Sequence, residues 1–542
     1  MSLLAALLLL TTPGLPPGEE PPPRPNVLWL TVEDMSPWLP CYGDDTVPTP
    51  NLDRLAAEGV RYTDAFATSP VCAAARSSLI TGMFAPRIGT MHHRTGKPSA
   101  AAVEADPDAY AGIPAYQGVP PAFVRCFPEH LRAAGYHATN NAKTDYQLRS
   151  PVTTWDRSGG RAHWRDAAEG QPWFAVFNHG GTHESQAFPD ARRRPAVVDP
   201  ATLDVPPIWP DTPAVRDALA RTYDNIAAMD AWVGEHLDAL DAAGLADRTV
   251  VFFFSDHGVG LPRGKRSPTD LGTRVPLLVR HPDGRGAGTT DDRVLSFVDL
   301  GPTVLSLCGV EPDERLDGRA FLGPRARPGT GLAFAHADRF DAVRDAARTV
   351  TDGRFRYTLN LDVELPYLLP VAYRRRLPMT ADLEALAGTE PATPGLWPWT
   401  TAERPREELY DTDLDPWEVR NLAGDPAHAE RLDTLRAALA AWREDTGDLG
   451  AVASEEELVR THLWPPDGVQ PTTAAPALER RADGLHLVSA TEGASVGYRL
   501  PGEDRWRVAR GPLPAELGDI ELEVEAHRLG WRPARATVTL GP

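Results

Sequence analysis

Thr249-Val250-Val251-Phe252-Phe253-Phe254-Ser255-Asp256-His257-Gly258 is the stretch that decides the fold. Its first six residues are β-branched or aromatic, with no polar alternation, as in a strand buried on both faces. Charge appears only at its carboxyl end, in Asp256-His257. Asn26-Val27-Leu28-Trp29-Leu30-Thr31 repeats the pattern and stops at Glu33-Asp34. Trp173 to Asn178 reads as a third buried strand, ending near His179 and His183, and Val275 to Val279 as a fourth. Between them lie helical signals. Thr49 as cap, Pro50 at the first helical position and Gly59 beyond Glu58 bound one helix. Ala218, Tyr223, Ile226, Met229, Val233, Leu237 and Leu240 give Val215 to Ala243 a helical apolar spacing.

Buried strands alternating with amphipathic helices predict an α/β fold with a largely parallel central sheet. Ligands of such sheets bind beyond the carboxyl ends of the strands. Glu33-Asp34 and Asp256-His257, far apart in sequence, are both expected there.

The pattern changes near residue 330. Leu409-Tyr410-Asp411 and Asp415-Pro416-Trp417 read as strand and turn, and Ala429 to Trp442 as a helix. Short strand-like runs follow at Leu485 to Ser489, Ala494 to Leu500, Arg505 to Arg510, Ile520 to Ala526 and Ala534 to Leu540. The expected division is 1–24, signal peptide and Pro-rich linker; 25–330, catalytic domain; 331–450, a smaller α+β C-terminal subdomain; and 470–542, a small β-sandwich accessory module.

The 542 residues are 42% hydrophobic and 24% charged, which excludes a disordered or fibrous chain. A net charge of -20 disfavours nucleic acid as a partner. Four scattered cysteines make neither a disulfide framework nor a zinc site. The apolar run Leu3 to Leu10 is too short to span a bilayer and reads as the core of an export signal, although no Lys or Arg precedes it. No later segment reads as a membrane span, and no feature specifies self-association.

The densest chemical signal is Val71-Cys72-Ala73-Ala74-Ala75-Arg76-Ser77-Ser78-Leu79-Ile80-Thr81-Gly82. The small residues after Cys72 favour a helix starting there, whose N-terminus suits a tetrahedral oxyanion. Arg76 lies one turn on and can reach back toward Cys72. Alone, Cys-x-x-x-Arg describes a buried structural cysteine beside a surface arginine. Each acidic pair alone describes a helix cap or a surface acid.

Together these motifs resemble the type I (formylglycine-dependent) sulfatase family. Cys72, Arg76, Thr81 and Gly82 match its signature, C-x-P/A-x-R followed by x-x-x-L-T-G. Pro25-Asn26-Val27 through Glu33-Asp34, Thr49-Pro50-Asn51-Leu52-Asp53-Arg54-Leu55-Ala56, Ser255-Asp256-His257-Gly258 and Arg274-Val275-Pro276-Leu277 match in order, with Glu408-Leu409-Tyr410-Asp411 near the end. Val32-Glu33-Asp34-Met35-Ser36 and Ile88-Gly89-Thr90-Met91-His92-His93 are similar to bacterial relatives of heparan N-sulfatase.

The resemblance implies an alkaline-phosphatase-like sandwich. It implies a maturation enzyme that oxidises Cys72 to formylglycine, whose hydrate attacks sulfur with one hydroxyl and expels sulfate with the other. One divalent cation is implied, calcium with magnesium or manganese as alternatives, on Glu33, Asp34, Asp256 and His257. Arg76, Lys143 and Lys265 match the residues that stabilise aldehyde and sulfate, and His183 matches the leaving-group histidine, with His179 a near competitor. The implied reaction is hydrolysis of a sulfuric ester or sulfamate on a sulfated carbohydrate. A phosphonate or phosphodiester hydrolase on the same scaffold, or an inactive glycan-binding homologue, are the alternatives.

Four positions depart from the pattern. Ala74 stands where Pro is commonest, Glu33 where Asp is usual, His257 where Asn is frequent, and Asp145 where many members carry His. His92 and His93 are candidates for that missing group. Arg192-Arg193-Arg194 and Arg374-Arg375-Arg376 read either as solvated loops or as contacts to further sulfates or uronates. Residues 480–540 resemble, weakly, the C-terminal β-module of chitobiases, which would bind carbohydrate or cover an edge of the catalytic domain.

Overall fold

The computed structural model describes residues 24–96, 103–104 and 107–540. The export signal, and the linker up to residue 23, lie outside the described residues. Eight strands form the main sheet, in the order Arg157–Ser158, His137–Asn141, Trp173–His179, Asn26–Val32, Thr249–Ser255, Leu277–Arg280, Val60–Tyr62 and Thr289–Asp291. All run the same way except Leu277–Arg280, which is antiparallel to both neighbours. That strand begins two residues later than the apolar run, because Val275 hydrogen-bonds to Ala65 instead and Pro276 carries no N–H.

The sheet is buried on both faces, as continuous apolar strands require. Leu28, Leu30, Val32, Val251 and Phe253 pack to one side with the Pro213–Ala242 helix. Val27, Trp29, Val250, Phe252 and Phe254 pack to the other, with Leu79, Ile80 and Val304. The long helix starts two residues before the expected Val215, because Thr212 accepts a hydrogen bond from the Val215 amide with Pro213 in the first turn.

At the Pro50–Glu58 helix the expected Thr49 cap is not made. Asp230, from the long helix, accepts from the Asn51 and Leu52 amides at 3.2 and 2.8 Å. A tertiary carboxylate thus replaces the local hydroxyl.

Ala333–Ala337, Ala347–Thr351, Phe355–Asn360 and Glu407–Asp411 form a four-stranded antiparallel sheet. The Ala429–Thr446 helix covers it through Leu432, Leu435, Leu439 and Trp442. Toward the C-terminus, Ala477–Arg481 pairs with Gly484–Val488, and Arg507–Val508, Ala494–Arg499, Glu521–Arg528 and Ala534–Thr539 make a second antiparallel sheet. Leu487, Val496, Tyr498, Leu522 and Val524 share one core between them. Only Arg507–Val508 of the expected Arg505 to Arg510 run is strand: Arg505 instead bonds Asp156 and Arg510 meets His130.

Candidate active site

Strand register builds the site. Val32 lies opposite Ser255 on one side and His179 on the other. Glu33-Asp34 and Asp256-His257 therefore leave adjacent parallel strands at the same level. The Asp34 amide donates to Asp256 Oδ1 at 3.1 Å, and the Met35 amide to Ser255 Oγ at 2.9 Å. Asp34 holds a left-handed backbone, φ 54°, a costly conformation for an Asp and typical of a functional strand end.

The Cys72–Thr81 helix points its N-terminus at this strand end. Every residue of it is buried, and no side chain caps it. Arg76 does not fold back on Cys72: its Nε donates to Asp256 Oδ2 at 2.9 Å and its Nη1 to Asn178 Oδ1 at 2.7 Å. Asn178 also donates to Asn140 Oδ1 at 3.1 Å, so the third strand end is tied in. Nothing local in the sequence singled out Asn178. Its place at a strand end was the available signal.

Two lysines meet the Glu33-Asp34 pair, one on each carboxylate. Lys265 Nζ donates to Asp34 Oδ2 at 2.7 Å and lies 3.1 Å from His183 Nε2 and 3.2 Å from Glu184 Oε1. Lys143 Nζ meets Glu33 Oε2 and lies 3.4 Å from Asp145 Oδ2. Arg263 and Arg266 flank Lys265 at φ 75° and 71°, and Ala142 and Asp145 flank Lys143 at 73° and 50°. Both lysine loops thus carry residues in the left-handed region. Burial opposes a thiolate at Cys72, but Lys143 and Lys265, then hydrogen bonds from His183 and His257, outweigh it and hold the thiol well below its usual range. The Cys72 position is therefore a place where negative charge is stabilised.

His183 faces Lys265, whereas His179 packs on the Trp232 ring, 4.9 Å between centroids. His183 Nε2 lies 3.1 Å from Lys265 Nζ, while its Nδ1 accepts from the Ser185 amide at 3.3 Å and lies 2.9 Å from Ser185 Oγ. His92 does not take the role of the absent histidine: its Nδ1 accepts from the Arg339 amide at 3.1 Å, and burial lowers its pKa to about 4. His93 faces Asp341 at 3.3 Å. The Arg runs are largely neutralised or buried. Arg193 pairs with Asp217, Arg375 with Glu384 and Arg376 with Asp190, while buried Arg374 donates to the Lys265 carbonyl at 2.9 Å.

The donor set suits a cation. His257 Nδ1 donates to the Gly258 carbonyl at 2.9 Å, which turns its Nε2 lone pair inward. That Nε2 stands 3.1 Å from Asp34 Oδ1, and both atoms are buried without a hydrogen-bond partner. Two facing acceptors in a dry site call for a positive charge between them: a proton, since Asp256 and then Asp34 outweigh burial and raise the His257 pKa to about 10, or a cation that displaces it. One ligand atom each from Glu33, Asp34, Cys72 and His183 lies within 4.8 Å of the others, as do those of Cys72, Asp256 and His257. The four expected ligands are thus divided between two groups that share the Cys72 sulfur, Glu33 and Asp34 in one and Asp256 and His257 in the other; three carboxylates and one imidazole fit a hard or borderline divalent ion.

The Sulfatase family profile matches residues 25–166 and 161–310. An ulvan-active sulfatase of Formosa agariphila is 38% identical over 95% of this chain and 91% of its own length. Human N-sulphoglucosamine sulphohydrolase is 28% identical over 78% and 90%. Among solved structures, a protein in complex with its substrate D-glucosamine-2-N,6-O-disulfate superposes with a TM-score of 0.54 at 16% identity, over 78% of this chain and 98% of that one. A phosphonate monoester hydrolase from Silicibacter pomeroyi gives 0.55 at 17%, over 78% and 96%. This chain belongs to the sulfatase family, and its fold is the alkaline-phosphatase-like one that family shares. It is an enzyme of sulfate removal.

Proposed function

We propose that the enzyme hydrolyses a sulfate ester or sulfamate on a sulfated sugar, at the site made by Cys72, Lys143 and Lys265. The single observation that carries this reading is the ring of fixed cations, Arg76, Lys143 and Lys265, around a buried Cys72 at a helix N-terminus. The names of the two curated relatives agree with a sulfated carbohydrate substrate.

Cys72 is the residue we assign to conversion to formylglycine by a maturation enzyme, and Glu33, Asp34, Asp256 and His257 are those we assign to a divalent cation, calcium first. When present, these two groups supply an oxygen nucleophile and the charge that acidifies it. The chain's own side chains do the rest. Lys265 and Lys143 hold the sulfate oxygens and offset charge that builds on them in the transition state. Arg76 locks Asp256 and, through Asn178, the neighbouring strand end. His183 stands beside Lys265 on the leaving-group side, where its ring can hand a proton to the departing oxygen or nitrogen. Burial around Cys72 excludes water until the substrate fills the opening.

The division into a catalytic body (25–330), a closing subdomain (331–450) and an accessory module (470–542) is part of the same reading, as is export directed by Leu3 to Leu10. A core of its own under the last sheet supports the accessory module, whereas Leu377, Met379 and Trp399 join the core of the main sheet and Phe84 and Val298 that of the four-stranded sheet, so the body and the closing subdomain pack against each other as one unit.

The test has two measurements on protein from a host that carries a maturation enzyme. The tryptic peptide bearing Cys72 should be lighter by about 18 Da, the thiol-to-aldehyde change. Sulfate should be released from sulfated sugars, and an aryl sulfate should be turned over faster than an aryl phosphodiester. An unmodified thiol with no sulfate release would leave a glycan-binding protein. A faster phosphodiester rate would place the chemistry with phosphoryl transfer.

A further inference from the structure

Beside Lys143 a cleft of about 320 Å³ opens between three segments, walled by Arg94, Tyr116, Gln117, Asp145, Gln147 and Arg149. We propose that this cleft is an anion-reading subsite: Arg94 and Arg149 bind a second negative substituent, a carboxylate or a further sulfate, on the sugar whose sulfate is cleaved. The inference rests on the sulfatase reading above and adds what selects the substrate.

The walls are cross-linked to the helix that carries Cys72. The Gln147 amide donates to Ser77 Oγ at 3.0 Å, and the Gly118 amide to the Gln147 carbonyl at 3.0 Å. The Arg149 amide donates to Gln117 Oε1 at 2.8 Å, and the Tyr116 amide to the Thr95 carbonyl at 2.9 Å. A subsite held this firmly keeps its distance from the nucleophile, which is what reading two groups on one sugar requires. Arg94 and Asp145 both adopt left-handed backbones, φ 58° and 50°. Two such residues facing one cleft mark a functional strain rather than a loop accident.

The charges are arranged for an anion. Arg94 is 37% exposed, and its nearest carboxylate, Asp341, is 3.9 Å away, beyond a direct hydrogen bond. Burial opposes the charge on Arg94, but Asp341, then Asp145, outweigh it and raise its pKa, so it is charged under all working conditions. Arg149 is exposed, and among the described residues no carboxylate pairs with it. In a protein of net charge -20, two under-neutralised arginines beside the sulfate lysine are a local exception. Guanidinium groups take carboxylate and sulfate oxygens bidentately. Asp145 is drawn to Lys143, 3.4 Å away, and repels a second anion from the Lys143 end, directing it toward the arginines. The Arg374 run lacks this arrangement, Arg374 being buried and Arg375 and Arg376 paired with Glu384 and Asp190, and in the Arg192 run Arg193 is paired with Asp217.

The test uses the full chain with Cys72→Ser, so that binding is read without turnover, and calorimetry with three probes: a neutral monosaccharide carrying one sulfate, the same sugar carrying two, and a monosulfated disaccharide carrying a uronate. The dianionic probes should bind about tenfold more tightly than the monosulfated sugar, the effect of one charge-assisted contact. In Arg94→Gln/Arg149→Gln that advantage should fall below about twofold, whereas binding of the monosulfated sugar should change far less. An advantage confined to the disulfated sugar identifies the second group as sulfate; one confined to the uronate probe identifies a carboxylate. An advantage that survives in the double variant, or is absent from the parent, overturns the subsite while leaving the sulfatase reading intact. Failure of the parent to bind any sulfated sugar overturns both. Arg149→Gln alone, at an exposed position, provides the same comparison should Arg94→Gln not fold.

Discussion

Lys265 Nζ lies 2.7 Å from Asp34 Oδ2, although the two residues are 231 positions apart and both side chains are shut off from solvent. Each compensates the other's burial. Lys265→Met should therefore do two things. Turnover should fall roughly 100- to 1,000-fold, the loss of one fixed donor at a developing charge. The cation-free protein should lose about 3–5 kcal/mol, because a buried carboxylate is left uncompensated. Steady-state kinetics and denaturant melts check the two halves. A stability loss that persists unchanged when calcium is added would argue against a cation at Asp34.

Removing the ion should unsettle the same cluster. Dialysis against a chelator should abolish sulfate release and lower Tm, and calcium at 100 times its Kd should restore about 2.7 kcal/mol. His257→Asn should keep a neutral ligand while moving preference from manganese toward calcium, since imidazole is the softer donor. Thermal shift with a metal series reads this directly.

Acid should attack the site through Glu184. Burial opposes its ionisation, but Arg266, then Lys265, outweigh it and bring its pKa to about 2; Arg266 clasps it with two bonds of 2.8 Å. The folded value is below the ordinary 4.5, so folding favours the ionised form. The stabilisation is complete above pH 4.5 and is lost as pH falls from there toward 2. Glu184→Gln should be less stable than the parent by about 3 kcal/mol at pH 7, with a flatter decline between pH 4.5 and 3. Chemical melts at each pH would show parallel declines if the pair had no such role.

Close packing gives a further check at Gly260. A Cβ there would stand 2.8 Å from Glu184 Cβ and 2.9 Å from Asp34 Oδ2. Gly260→Ala should lower affinity for the cation and cost 1–3 kcal/mol, roughly, by overpacking. Isothermal titration with calcium separates that from a simple loss of fold.

The C-terminal sheets brace the cleft wall. Gly530, at φ 81°, would place a Cβ 2.5 Å from the Gly118 carbonyl, and Arg528 bonds the Pro120 carbonyl. Gly530→Ala should loosen this docking and speed proteolysis after about residue 470, with sugar binding weakened more than cleavage of a small aryl sulfate. Limited proteolysis with and without a sulfated sugar follows both effects.

Much of this protein is decided by its sequence alone. Apolar runs without alternation make strands that must be covered on both sides, and this forces the α/β layering and the largely parallel sheet. Charges placed immediately after those runs, Glu33-Asp34 and Asp256-His257, have to emerge at the carboxyl edge, because a buried strand cannot hold them. The Cys72 to Gly82 segment carries its own helix signal and its own motif. All of these are short-range facts, contained in the spacing of neighbouring residues.

Only the tertiary structure decided the pairings. The expected Arg76–Cys72 approach gives way to Arg76–Asp256 and Arg76–Asn178, and the expected Thr49 cap to Asp230. Glu184 finds Arg266, Arg374 turns inward to the Lys265 loop, and Arg94 and Arg149, far apart in sequence, come to line one cleft. The physical reason is common to all of them. A charge or amide leaving water takes whichever partner the packed chain brings within about 3 Å, and that partner is set by sheet register and crossover, which spacing along the chain does not encode.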